Sequence, residues 1–181
     1  GSAGIMGAAE YVSAHGTRIP IVGNNSLLFW LNGSAWTSLV GTATARQVRV
    51  ASLYMPQSDT NALVAVSDSA TIAPSIWSGI DSGVRALNAL SNAPQRALDI
   101  IPIGHRVLMW NVAVTSTSSR VDNRAAWCAE SNPEDWTGLG AGSYDITEMR
   151  GPGTRAFSRG EGGVLASTDE LWAVQPGGNH T

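Results

Sequence analysis

Arg120-Val-Asp-Asn-Arg-Ala-Ala-Trp127-Cys-Ala-Glu-Ser-Asn-Pro133-Glu-Asp-Trp136-Thr-Gly reads as a strand, a tight Asn-Pro turn and a second aromatic anchor. Further on, Gly163-Val-Leu-Ala-Ser-Thr-Asp-Glu-Leu-Trp-Ala-Val174 reads as a hairpin with a polar turn at Ser167 to Glu170. Both patterns belong to chains built from many short strands that stack as blades.

The same signature extends in both directions. Segments rich in β-branched and aromatic residues recur, separated by Gly, Asn, Asp, Ser and Pro. The strands expected are Arg18–Val22, Ser26–Leu31, Ala35–Leu39, Gln47–Tyr54, Ala62–Val66, Ser75–Ser78, Ala97–Ile103, Arg106–Val114, Arg124–Ala129, Ser143–Met149, Gly163–Ser167 and Glu170–Val174. Asn32-Gly33 before Ala35-Trp36 is a hairpin signal, since both residues tolerate positive φ. Val84–Leu90 fits a short helix or a strand; no other stretch sustains an apolar stripe at helical spacing. Residues 1–17 are expected to be a leading segment or linker, and 18–181 the β domain.

A faint repeat supports blades. Ile19-Pro20-Ile21 leading to Trp30 resembles Ile101-Pro102-Ile103 leading to Trp110, 80 residues on, which is two units of about 40. That spacing gives roughly three β-propeller blades and half of a fourth. Such a count cannot close a ring, so more chain or an open stack is expected. A start at Gly1-Ser2, with no initiator Met, fits a processed chain or part of a longer one. A β-sandwich is the alternative fold.

Composition narrows the function. The chain has 181 residues, 43% hydrophobic, enough for one good core or two small ones. No apolar run approaches the ~20 residues of a membrane helix, and residues 1–9 lack the pattern of a secretory signal. Net charge is −3, with eleven arginines, no lysine and no basic cluster of the kind that grips phosphates. Cys128 is the single cysteine, expected as a buried, inert thiol; His15, His105 and His180 lie too far apart for a metal site.

Seven tryptophans against two phenylalanines is an unusual balance. Most fall at strand ends, where a ring can wedge between sheets while its N–H reaches a loop carbonyl. Core packing is the reading for the set. Trp136, beside Glu134 and Asp135, is the candidate for a sugar-stacking platform. The motifs GxSxG, P-loop, GxGxxG and HExxH are missing, and the Gly151–Gly153 and Gly160–Gly163 runs read as loops. The acid pairs Glu134-Asp135 and Asp169-Glu170 read as solvated turn residues rather than a glycosidase pair. The triplets at Asn24, Asn32 and Asn179 match the glycosylation pattern without a secretion signal to give it meaning. No enzyme activity and no cofactor is expected.

The order Asn61 to Gly79, then Arg106-Val-Leu-Met-Trp110, then Arg124 to Thr137 resembles the β-propeller structural proteins of bacteriophage tails, notably the nozzle or hub proteins of short-tailed phages. The likeness covers roughly residues 45–175, and its most specific part is Trp127, Asn132, Pro133 and Trp136. Cys128 stands where that family commonly has Ser, and family members are typically longer. The resemblance implies a virion component without an active site. It would form a ring of copies around the DNA channel, sealing it and joining neighbouring tail or portal-adaptor proteins, with DNA passing unbound. The alternative is a carbohydrate-binding β module for host adhesion, with Trp136, Glu134 and Asp135 in contact with the glycan.

Overall fold

Fifteen strands and no helix make up the described part of the chain. The computed structural model describes residues 7–13, 15–23, 27–41, 48–56, 59–68, 73–77, 88–90 and 92–177. The first sheet holds β1 (Gly7–Val12), β2 (Arg18–Gly23), β3 (Leu27–Asn32) and β4 (Ala35–Gly41). The second holds β5 (Val48–Met55), β6 (Thr60–Ser67), β7 (Ser75–Trp77) and β8 (Asn88–Ala89). The third holds β9 (Arg96–Ile103), β10 (Arg106–Ala113), β11 (Val121–Trp127) and β12 (Gly142–Asp145). The fourth has three strands, β13 (Gly153–Arg159), β14 (Gly162–Ser167) and β15 (Leu171–Val174). Each sheet is an antiparallel meander whose strands pair in chain order. The architecture is all-β, in four antiparallel sheets, as expected from the sequence.

The sheets stack in chain order, and their first strands lead the contacts. β1 touches β5 and β6; β9 touches β5 and β6 on one side and β13 and β14 on the other. Three apolar layers fill the three gaps. Tyr11, Ile19, Ile21 and Trp30 meet Leu63, Ala65 and Trp77 between sheets 1 and 2. Val64, Val66 and Leu53 meet Val107, Met109 and Ile100 between sheets 2 and 3. Ile101, Leu108 and Trp110 meet Ala156 and Leu165 between sheets 3 and 4. Alternate residues of β6 therefore serve opposite gaps, as a pleated strand covered on both faces requires.

Ion pairs and hydrogen bonds reinforce the joints. Asp68, just after β6, pairs with Arg96 of β9 at 3.0 Å and Arg120 at 2.8 Å, tying sheet 2 to sheet 3. The Asp99 carboxylate of β9 accepts from the Ala156 N–H of β13 at 3.1 Å, tying sheet 3 to sheet 4. Trp110 lies over Gly153, where an added Cβ would sit 2.7 Å from the indole. No other residue would let the ring approach β13 so closely.

Several expectations are corrected. Residues Gly7–Val12, expected in a leading segment, form an edge strand of sheet 1, paired with β2 from Gly7↔Gly23 to Val12↔Arg18. The strand β13 begins at Gly153, inside a run expected to be loop, and β14 begins at Gly162, one residue before the expected Gly163. Expected strand residues Cys128, Ala129 and Ile146 to Met149 instead lie in loops. At the β3–β4 hairpin the loop residues are Gly33 and Ser34, with Asn32 paired to Ala35 and Gly33 at φ 62°. The segment expected as a helix or strand at 84–90 falls mostly outside the described residues, as do Asn24 and Asn179.

Candidate functional site

The loop between β11 and β12 carries Asn132, Pro133, Glu134, Asp135 and Trp136, and Trp127 ends β11 just before it. Its conformation is set by its own polar side chains. Asn132 Oδ1 accepts the Glu134 N–H at 3.2 Å, and Asp135 Oδ1 accepts from Thr137 at 3.1 Å and Gly138 at 2.7 Å. Backbone bonds from Ala129 N–H to Asp135 C=O (2.7 Å) and Asp135 N–H to Asn132 C=O (3.2 Å) close the turn. Short polar side chains that bond neighbouring amides are what Asn-Pro and Asp turns supply.

The two indoles flanking the turn are anchored at different depths. Trp136 is 7% exposed and packs in the layer between sheets 2 and 3. Its Nε1–H donates to Pro133 C=O at 2.8 Å, so the turn folds over the ring it positions. Trp127 is half-buried against the layer between sheets 3 and 4, lies over Gly142 and donates to Gly140 C=O at 3.1 Å. Arg106 grips the same loop, bonding Cys128 C=O at 3.2 Å and Gly140 C=O, with Glu130 3.5 Å away.

This geometry places Trp136 in the core, the reading given for the tryptophans as a set, and does not favour the sugar-platform alternative. A stacking platform needs a free aromatic face, and the Trp136 ring is enclosed. The Asp135 carboxylate is committed to two backbone amides, leaving Glu134 exposed beside a ring it cannot assist. Pro133 and Trp136 are buried, Trp127 packs partly buried against the layer between sheets 3 and 4, and Asn132 stays exposed. Trp110 and Trp172 follow the same rule, donating to Ala166 C=O at 3.3 Å and Glu170 Oε2 at 3.0 Å. Trp30 departs from it, since its N–H has no partner among the described residues.

Of the acid pair at the β14–β15 turn, Asp169 is exposed and Glu170 is held in place. Glu170 receives the Trp172 indole and pairs with Arg150. These contacts hold its carboxyl down to about 2, the indole bond contributing most. Cys128 is fully buried, its Sγ accepts the Val107 N–H at 3.1 Å, and burial pushes the thiol up to about 11. His15 and His105 are exposed; His180 lies outside the described residues. Among the described residues no three metal-ligating side chains cluster.

Sequence reasoning missed the polar clamps. Asn111 and Asn123 both sit in strands at positive φ, 52° and 66°. Asn123 Nδ2 donates to Met149 and Gly151 carbonyls, each at 3.0 Å; Asn111 Nδ2 donates to Gly153 C=O at 2.8 Å. Together they hold the segment that leads from sheet 3 into sheet 4. Asp99 is 7% exposed, and burial raises its carboxyl above the ordinary range while the Ala156 and Ile100 amides oppose the rise. Arg49 of β5 stands 3.9 Å from it. The available signal was contextual: asparagine in a strand and one acid in an apolar run are each out of place.

Compared against protein families, curated proteins and solved structures, the chain has no match.

Proposed function

We propose that this chain is a structural subunit of a bacteriophage tail, assembling as a ring of copies around the DNA channel and joining or sealing the adjacent tail parts. One observation carries the reading. Trp127, Asn132, Pro133 and Trp136, the residues that carry the resemblance to phage-tail propellers, make contacts that hold loops and sheets in place. A motif that is architectural suits a protein whose product is a shape. Stacked meander sheets with indole wedges suit a stiff part under load, because close-packed layers resist compression.

Charge supports the same reading. A conduit must not hold the nucleic acid that passes through it, and a net charge of −3 without a basic cluster provides no counterion-releasing grip. Neighbouring tail or portal-adaptor proteins are the partners this role requires.

The test is the mass and image of the purified chain. We expect a cyclic oligomer with a central opening by native mass spectrometry and electron microscopy, and no retardation of duplex DNA at physiological salt. A chain that remains monomeric at every accessible concentration, or that binds glycans as a monomer, would overturn the proposal.

A further inference from the structure

Two arginines and one carboxylate meet where sheet 2 joins sheet 3. Asp68 lies just after β6, Arg96 opens β9, and Arg120 stands immediately before β11. Arg96 is engaged at every nitrogen. Its Nε and Nη2 bond the Asp68 carbonyl and carboxylate at 3.1 and 3.0 Å, and its Nη1 bonds Ser118 C=O at 3.2 Å. Arg120 is engaged differently. Its Nε stands 2.8 Å from the same Asp68 oxygen, while its Nη1 is buried and has no hydrogen-bond partner among the described residues.

That imbalance is unusual for a cation so enclosed. The Arg120 side chain is 25% exposed, and a guanidinium carries five N–H donors that want acceptors once water is removed. Two cations share one carboxylate, so a positive charge is left over. Asp122, two residues along, is held by Asn111 Nδ2 at 3.1 Å and forms no ion pair with Arg120 among the described residues. The chain running into Arg120 adds hydroxyl donors, with five consecutive Ser and Thr residues from Thr115 to Ser119. Thr115 and Ser118 brace this loop, each backbone N–H bonding the other's hydroxyl at 3.1 and 3.0 Å. Ser119 is exposed beside the arginine. An orphaned buried donor next to surplus charge points to an ion.

We propose that Arg120, with the hydroxyl loop before it, binds a small phosphate-like oxyanion at the rim of the joint between sheets 2 and 3. A guanidinium fork and hydroxyl donors are the partners such an anion takes. The anion supplies the acceptor that Nη1 lacks and balances the surplus cation. Arg96 adds field rather than bonds, because its nitrogens are already used. The long arginine stem turns Nη1 toward the open rim while Nε stays on Asp68. Bound there, the ion ties the start of β11 to the joint. A phosphate in a nucleic-acid backbone offers the same oxygens, but gripping such a chain takes several neutralised phosphates, and this site has one spare charge. The free ion is therefore the ligand. Nothing in this site depends on the ring reading.

The test titrates the full chain with inorganic phosphate at constant ionic strength, read by calorimetry and by thermal melts. We expect saturable binding and a melting point that rises and then levels off. Arg120→Gln should abolish the saturable part. Arg120→Lys keeps the charge and loses the fork, so it should weaken binding roughly tenfold or more, the worth of one hydrogen bond to a charged group. Arg155→Gln, at an exposed arginine of β13, should leave binding unchanged. If Arg120→Gln does not fold, Arg120→Lys against wild type decides the matter. A rise that never saturates and is equal in every variant is the general exclusion effect of phosphate, and it would overturn the site. Saturable binding untouched in Arg120→Lys would overturn it too. A short single-stranded oligonucleotide that binds more tightly than phosphate, and loses that binding in Arg120→Lys, would overturn the free ion as ligand.

Discussion

The two middle sheets and the two end sheets are built from similar strands, yet their residues follow different rules. In sheet 3, β10 is buried from Val107 to Ala113, and in sheet 2 β6 is buried from Ala62 to Ser67. At the ends, β2 alternates between exposed and buried positions, and β15 alternates between exposed and half-buried ones. A strand covered on both faces reads as a continuous apolar run, and one covered on a single face reads as alternation. The pattern records the number of neighbours rather than the kind of strand. Among the described residues of the first and fourth sheets, Phe157, Leu171 and Trp36 are large apolar side chains left exposed.

The largest expected effect separates middle from end. Trp110 is fully buried, bonded to Ala166 C=O and seated on Gly153. Trp110→Ala should lower unfolding free energy by about 3–5 kcal/mol in urea or guanidinium titrations, as buried aromatic truncations do. Trp36→Ala, measured on dilute protein, should cost less than about 1 kcal/mol. Equal losses at the two positions would dissolve the distinction between middle and end.

A second pair of variants sharpens what holds sheet 4 to sheet 3. Asn123→Ala removes two bonds to loop carbonyls and forces a positive φ on alanine, so a loss of about 2–3 kcal/mol is expected. Asn123→Gly relieves the backbone strain while still deleting the bonds. Its loss should be smaller by about 1 kcal/mol, and identical losses would remove strain from the account.

Acid should loosen the exposed end of sheet 4. The Glu170 carboxyl is held down to about 2 from an ordinary 4.5, by the Trp172 indole first and then by Arg150. A depressed acid stabilises the fold fully above its unfolded value, and that share is lost as pH falls through the folded one. The contribution is therefore intact above pH 4.5 and fades toward 2. Glu170→Gln should flatten the pH dependence of the unfolding midpoint within that window. A slope matching wild type would remove Glu170 from the account.

The smallest effect concerns Cys128, deep in the middle layer with its thiol pushed up to about 11. A disulfide reagent at neutral pH should label it only as fast as the protein opens, and at full speed in denaturant. Rapid labelling of native protein would contradict its burial.

Much of the fold was legible because strand signals are local. The β-branched and aromatic runs and the turn residues between them mark β2 to β7, β9 and β10 within a few residues of their observed ends. The two strands missed entirely, β1 with Ala8-Ala9-Glu10 and β13 with Thr154-Arg155, lack that chemistry and owe their extended form to the partner strands β2 and β14. The short β8 fell in a segment whose reading was left between helix and strand. The candidate site divided the same way. Asn132-Pro133 announced a turn, but its direction over Trp136 depends on Asp135 bonding two amides beyond it.

The sequence by itself determined an all-β chain rich in tryptophan, with a net charge of −3. These are properties of nearest neighbours and of composition. Only the tertiary structure decided which gap Trp30, Trp77, Trp110 and Trp136 fill, and that Trp136 is buried while Trp36 is half-exposed. Burial is a relation between distant segments. A side chain's own chemistry cannot specify which sheet will cover it, or whether any sheet of the same chain does.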